Sequence, residues 1–265
     1  MIIDFHYHYL DKPDYIENLL KDMDNAEISI TCISALENLF WQGTTVGSNE
    51  KVYEAVQKYP GRLVGCTYID PRMPDACAIV DEYADKGFAC IKMFPPIGFF
   101  PDDEVYYPVY ERIAIHGLPL LFHAGLTGLS FTNPLKRQAT NSVCAQPMHI
   151  DKVAKAFPEI PIVIAHMGYP YYMESWSLAN IHPNVYLDIS GIGASPWIAG
   201  APIVYNAIDR FIEIDFKKII WGSDNCLNQK ESIQIAKKFL EQMGCAIDDF
   251  KYIFGDTSAK LLKLM

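Results

Sequence analysis

Short apolar runs rich in β-branched residues recur along the whole chain: Ile2–Phe5, Ile28–Ser34, Leu63–Ile69, Ala89–Phe94, Pro119–Phe122, Ile162–Ala165, Val185–Ile189 and Lys218–Trp221. Each is short and branched enough to be a buried strand. Between the runs, the spacing of apolar positions lengthens to that of a helix. Tyr106, Val109, Tyr110 and Ile113 form one stripe; Ile150, Val153, Ala154 and Phe157 form a second; Ile233, Ala236, Leu240 and Met243 form a third. Pro101-Asp102-Asp103 reads as a helix start, and Gly87, Gly117 and Gly244 as residues just past three helix ends. Strands alternating with helices, at roughly 30 residues per unit, predict a parallel sheet covered by helices. Eight units in 265 residues fit a closed (β/α)8 TIM barrel, for which about 250 residues is typical. A doubly wound open sheet is the alternative, but it usually has fewer units. No linker or composition shift divides the chain, so one domain over residues 1–265 is expected. The longest stretch without a pattern, Leu126–Gln146, follows the fifth strand, on the face where barrel active sites lie. Loops of that length are usually functional or mobile.

Composition narrows the function. Half the residues are apolar, and 22 basic residues stand against 32 acidic ones, a net charge of −10. Nucleic-acid binding needs a basic surface, so it is not expected. No apolar run approaches the roughly 18 residues of a membrane helix. The start, MIIDFHYHYL, has neither a basic segment nor a small-residue cleavage site and does not read as a signal peptide. The seven cysteines are widely spaced with no CxxC. They read as reduced thiols, several of them in the core, of a cytoplasmic protein.

Polar chemistry collects at the ends of the runs. His6-Tyr7-His8 closes the first, His123 the fifth, His166 the sixth and Asp224 the eighth. Side chains two apart on a strand share a face, so His6 and His8 are both expected to face the barrel axis. Strand ends converge on one mouth, and several imidazoles with a carboxylate there suit a divalent transition metal. One such histidine alone would more often be a hydrogen-bonded core or rim residue; the set is what points to a metal. His116, His149 and His182 read as surface or capping residues. Aromatic residues of the same loops (Phe40, Trp41, Phe94, Phe99, Phe100, Phe131, Tyr169, Tyr171, Tyr172, Trp197) suggest a ring-bearing or apolar small substrate, although any one of them could simply pack a loop. Arg72, Lys136 and Arg137 are loop cations that could meet a carboxylate. Cys226 is the one thiol near the presumed site, with no evident base partner. There is no GxSxG, P-loop or HExxH, and GIGASP at Gly191 lacks the third glycine of a dinucleotide loop.

The ordered set of His6-x-His8, His123, His166 and Asp224 resembles the amidohydrolase superfamily of metal-dependent barrels. GFACIKMFPP followed by Pro101-Asp102-Asp103, AHMG and WGSD are similar to segments of its amidohydrolase 2 branch, which includes the aminocarboxymuconate-semialdehyde decarboxylase group. The resemblance spans the chain. It implies a single barrel without the N-terminal β-domain of the urease-like members. It further implies that His6, His8, His123 and Asp224 hold one metal, Zn²⁺ before Mn²⁺, with a second metal as the alternative. Asp224 would also take a proton from the metal's water, and His166 would act as acid or base. Lys92, at the end of the fourth strand, has three readings: a carboxylated lysine bridging two metals, with His166 as a ligand of the second; an ammonium binding a substrate carboxylate; or a rim lysine, solvated or paired with Asp102 or Asp103.

The function the resemblance implies first is hydrolysis of a small ester, lactone or amide by a metal-activated water. A metal-dependent decarboxylase or hydratase is the second. Many decarboxylases of the branch replace the first histidine of the HxH with Glu and carry large insertions; this chain keeps His6 and is compact. A barrel without catalysis, serving as a scaffold, is the third, because fold alone does not establish function. The expected partner is a small molecule, with no nucleic acid or membrane, and a homo-oligomer is left open.

Overall fold

The computed structural model describes residues 1–41, 44–131, 140–191, 215–225 and 228–265. All eight apolar runs form strands: β1 (Ile2–His8), β2 (Ile28–Ser34), β3 (Leu63–Ile69), β4 (Cys90–Met93), β5 (Leu120–Phe122), β6 (Ile162–Ile164), β7 (Val185–Asp188) and β8 (Ile219–Ile220). They make one parallel sheet in chain order. Hydrogen bonds from Phe5 N to Trp221 O (3.2 Å) and from Asp224 N to His6 O (2.8 Å) draw β8 onto β1. The result is a nearly closed TIM barrel, not an open sheet. Gly222 makes that seam possible: a Cβ there would stand 2.5 Å from His6 Cβ and 2.9 Å from His6 N.

Between the strands run the helices α1 (Tyr15–Asn25), α2 (Asn49–Lys58), α3 (Ala76–Asp85), α4 (Tyr107–His116), α5 (His149–Ala156), α6 (Tyr172–Ile181) and α7 (Gln229–Gln242), with α8 (Thr257–Leu261) at the C-terminus. The apolar stripes lie inward as expected: Val109, Tyr110 and Ile113 on α4, Ile150, Val153 and Ala154 on α5, and Ile233, Ala236 and Leu240 on α7 are buried. Asp103 accepts a hydrogen bond from Val105 N and opens the short turn that runs into α4. Gly117, in the left-handed region, closes α4.

Inside the barrel, Ile3, Phe5, Leu121, Val163 and Ile220 pack with Ala259, Leu261 and Leu262 from α8 and the turn after it. The C-terminal segment thus stoppers the end of the barrel where β1 begins. Burying a side chain such as Phe5, which is wholly inaccessible, stabilises by about 1.5–3 kcal/mol. Polar groups are therefore left to the opposite end.

That opposite end carries a second, small sheet. Leu39–Trp41, in the loop after β2, pairs antiparallel with Thr44–Thr45 and with Ser130–Phe131, in the loop after β5. The Leu126–Gln146 stretch thus contains a strand, and its Ser142–Ala145 segment forms a 3₁₀ turn. Residues 132–139 of that stretch, with Lys136 and Arg137, lie outside the described residues, as do Trp197 and Cys226.

Candidate metal centre at the barrel mouth

The end of β1 is irregular, and the irregularity aims the histidines. Asp4 is opposite Thr31 and Tyr7 is opposite Ile33, so three steps on β1 match two on β2. One extra residue flips the pattern of alternation. Before it, Ile3 and Phe5 fill the apolar interior; after it, His6 and His8 converge instead. Their Nε2 atoms lie 3.1 Å apart. Asp224 Oδ1 lies 3.3 Å from His8 Nε2 and 3.6 Å from His6 Nε2.

Side chains from other strands fix the two rings. Asp188 Oδ2, at the end of β7, meets His6 Nδ1 at 2.7 Å, and Ser190 Oγ meets it at 3.0 Å. Ser190 in turn donates to Asp188 from its backbone N (2.7 Å) and its hydroxyl (2.5 Å). Ser34 Oγ, at the end of β2, lies 2.9 Å from His8 Nδ1. With both Nδ1 atoms engaged, both Nε2 atoms turn to one point, an arrangement common around metal-ligating histidines. Asn225 clamps the backbone beside them: its Oδ1 accepts from His8 N (2.6 Å) and its Nδ2 donates to His8 O (2.7 Å).

His166 and Asp224 both sit at abrupt chain reversals. His166 and Met167 have φ of 55° and 50°, and Asp224 and Asn225 have 51° and 57°. Left-handed backbone at a residue with a side chain costs on the order of 1–3 kcal/mol and collects at functional sites. His166 Nδ1 lies 3.0 Å from Ser190 Oγ and 3.9 Å from Asp224 Oδ2. Its ring stands 5.2 Å from that of His6 and 5.0 Å from that of His123. His123 packs on Phe94, and its buried Nε2 has no hydrogen-bond partner.

Electrostatics follow from burial. It pushes His6, His8 and His123 below the usual histidine range, so they are neutral lone-pair donors. It lifts Asp188 to about 6. Burial acts in the same sense on Asp224, but its surroundings, His166 beside it foremost, outweigh burial and hold that carboxyl well below the carboxylate range. Crowded lone pairs, an ionised carboxylate and an orphaned imidazole nitrogen are the donor set that a divalent transition metal fits. His6, His8 and Asp224 are close enough to share one ion; a second grouping, His6, His166 and Asp188, shares His6 with it. His123 stands outside both groupings.

Lys92, at the end of β4, is fully buried, and its Nζ donates to His6 Nε2 at 2.9 Å. This overturns the reading of a rim lysine. Asp102 is bonded to His149 instead, and Asp103 caps the turn before α4. Arg72 is likewise not free for a substrate: it forks onto Asp70 (2.8 and 2.7 Å) and donates to Ile97 O, tying the loops after β3 and β4 together. Phe94 and Phe99 are buried packing residues, whereas Phe100 is partly exposed. His116 and His149 pair with Asp81 and Asp102 on the outer shell. His182 pairs with Asp151 but is buried, not on the surface.

Asp188, Ser190, Ser34 and Asn225 were not singled out by the sequence. The signal for Asp188 was present: it is the one charged residue in the apolar run Val185–Ile189.

A family model described as "Amidohydrolase" matches residues 3–264. Among solved structures, an uncharacterised TIM-barrel protein from Bordetella bronchiseptica is 18% identical, with a TM-score of 0.74 over 99% of this chain and 98% of that one. A protein described as a probable 2-pyrone-4,6-dicarboxylic acid hydrolase from Acinetobacter baumannii is 18% identical, with a TM-score of 0.67 over 99% of both chains. The manganese complex of 5-carboxyvanillate decarboxylase from Novosphingobium aromaticivorans is 15% identical, with a TM-score of 0.64 over 99% of this chain and 96% of that one. At these identities the likeness is one of fold. A curated relative, Protein fluG of Emericella nidulans, is 36% identical over 74 residues, which are 28% of this chain and only 8% of that protein. Among the described residues, no helix is long and apolar enough to cross a membrane.

Proposed function

From the premise that the chain belongs to the amidohydrolase family, we propose that it is a metal-dependent hydrolase that opens a small organic ester, lactone or amide with an activated water. The observation that carries this reading is the meeting of His6 Nε2, His8 Nε2 and the ionised Asp224 at the barrel mouth. His6, His8 and Asp224 would hold the ion, and His123, whose unpartnered Nε2 lies outside that grouping, is the further ligand the family resemblance implies; Zn²⁺ and Mn²⁺ both suit this set. When bound, such an ion supplies Lewis-acid polarisation of a carbonyl and a more acidic water. Asp224, ionised and within reach of the same point, would accept a proton from the attacking water and return it to the leaving group. His166, beside Asp224, polarises the substrate or relays the proton. Lys92 Nζ, which donates to His6 and whose pKa burial pulls below the usual lysine range, would be the anchor for a substrate carboxylate.

That last feature favours a second reading, decarboxylation of a small carboxylic acid, because a buried ammonium would anchor the carboxylate that is lost. One experiment separates the two. Protein loaded with Zn²⁺ or Mn²⁺ is offered a panel of esters, lactones, amides and aromatic carboxylic acids, and both acid release and CO₂ release are followed. Hydrolysis predicts acid without CO₂; turnover that releases CO₂ overturns it in favour of the second reading. Asp224→Asn is expected to keep some metal but lower kcat by about 10²–10⁴-fold. Full activity in that variant would remove Asp224 as the proton acceptor.

A further inference from the structure

Three consecutive strands each turn one cysteine into the barrel interior: Cys32 on β2, Cys66 on β3 and Cys90 on β4. All three are at most 1% exposed. Their sulfur atoms lie within 4.8 Å of one another. Cys66 and Cys90 are register partners across β3 and β4, and Cys32, opposite Val64 on β3, lies two residues earlier in register. The inner positions around it hold Ile3, Phe5, Leu121 and Val163, none of which offers a donor atom. A site made of sulfur alone, in dry apolar surroundings, rejects hard cations and selects soft ones. Structural zinc sites close with four ligands; the trio offers three, which suits a cation content with fewer.

We propose that Cys32, Cys66 and Cys90 form a second metal site, separate from the histidine centre, that takes one soft d¹⁰ cation of the Cu(I) class. Each thiol that ligates as thiolate releases one proton to solvent, and no electron is transferred. Lys92 lies two residues beyond Cys90 on β4, on the same face and one step nearer the mouth. Three thiolates around one monovalent cation carry a charge of −2, and the Lys92 ammonium offsets one of the two. The two sites differ in chemistry: imidazole and carboxylate at the mouth, thiolate below.

The test is anaerobic titration of the full chain with Cu(I), followed by thiolate-to-copper charge-transfer absorption in the near ultraviolet. The proposal predicts saturation at about one copper per chain. It predicts the same band in His6→Ala/His8→Ala, and at least a hundredfold weaker binding in Cys66→Ala. X-ray absorption at copper on the wild-type chain, which needs no variant to fold, should give a shell of three sulfurs. No band, a band that survives Cys66→Ala, or nitrogen and oxygen neighbours would each overturn the site and leave the trio as core packing.

Discussion

His6 owes its aim to residues far away in the sequence. Asp188 and Ser190 meet its Nδ1 and turn Nε2 toward Asp224. Outer partners of this kind typically govern metal affinity by 10–100-fold. Asp188→Asn is therefore expected to weaken Zn²⁺ or Mn²⁺ binding by about 10–100-fold, measured by competition with a chelating indicator; unchanged affinity would mean that the Asp188 contact is only structural. Burial also gives the metal-free protein a defined pH dependence. His6, His8 and His123 are kept neutral in the folded state but take up protons when unfolded, below about 6.5. Asp188, lifted to about 6, and Asp4, lifted by burial to about 7, act in the opposite sense, because the folded state holds their protons. The three histidines, which gain protons on unfolding, outnumber the two carboxyls that lose them, so the net tendency below pH 6 is proton uptake on unfolding. Stability is then expected to fall as pH falls from 6 to 5. Urea unfolding of the metal-free chain at pH 6 and pH 5 checks this, and equal or greater stability at pH 5 would contradict it.

At the level of strands and loops, the apolar runs were enough to find all eight barrel strands, because a strand buried on both faces reads as a continuous run. The same continuity hid two things. Alternation on β1 gave the right shared face for His6 and His8, but for an incomplete reason: strict alternation would have placed Ile2 and Asp4 beside them, and the extra residue between Asp4 and Tyr7 puts Ile3 and Phe5 inside instead. A bulge has no fixed sequence mark, so only the pairing reveals it. Asp188 was hidden because it is embedded in the β7 run and acts through His6. The small sheet over the mouth could not be read either, since strands of two or three residues carry no period. The seam between β1 and β8 gives a direct test of the architecture. Gly222→Ala would press a Cβ to 2.5 Å from His6 Cβ, and overpacking of this kind costs about 1–3 kcal/mol. The expected result is a lower urea midpoint together with weaker metal binding, because His6 itself must move. A variant as stable and as tightly metal-binding as the parent would show that the seam has room to spare.

For the molecule as a whole, closure of the barrel turns a scattered set of residues into one site. His6 and Asp224 are far apart along the chain, yet their backbones are joined by a hydrogen bond of 2.8 Å. The order of histidines and carboxylate along the sequence made most of this candidate centre legible. The position of Lys92 was not, because whether a strand-end lysine lies on the rim or in the floor depends on the neighbouring strands. The C-terminal segment closes one end of the barrel with apolar side chains, so charge and lone pairs gather at the other. The account stands or falls on whether that gathering binds a metal. Elemental analysis of the purified chain after loading with Zn²⁺ or Mn²⁺, beside His6→Ala/His8→Ala, tests it most directly. About one metal per chain at the histidine centre, lost in the double variant, is the predicted result. No metal in the loaded parent chain, or the same content in the double variant, would contradict it.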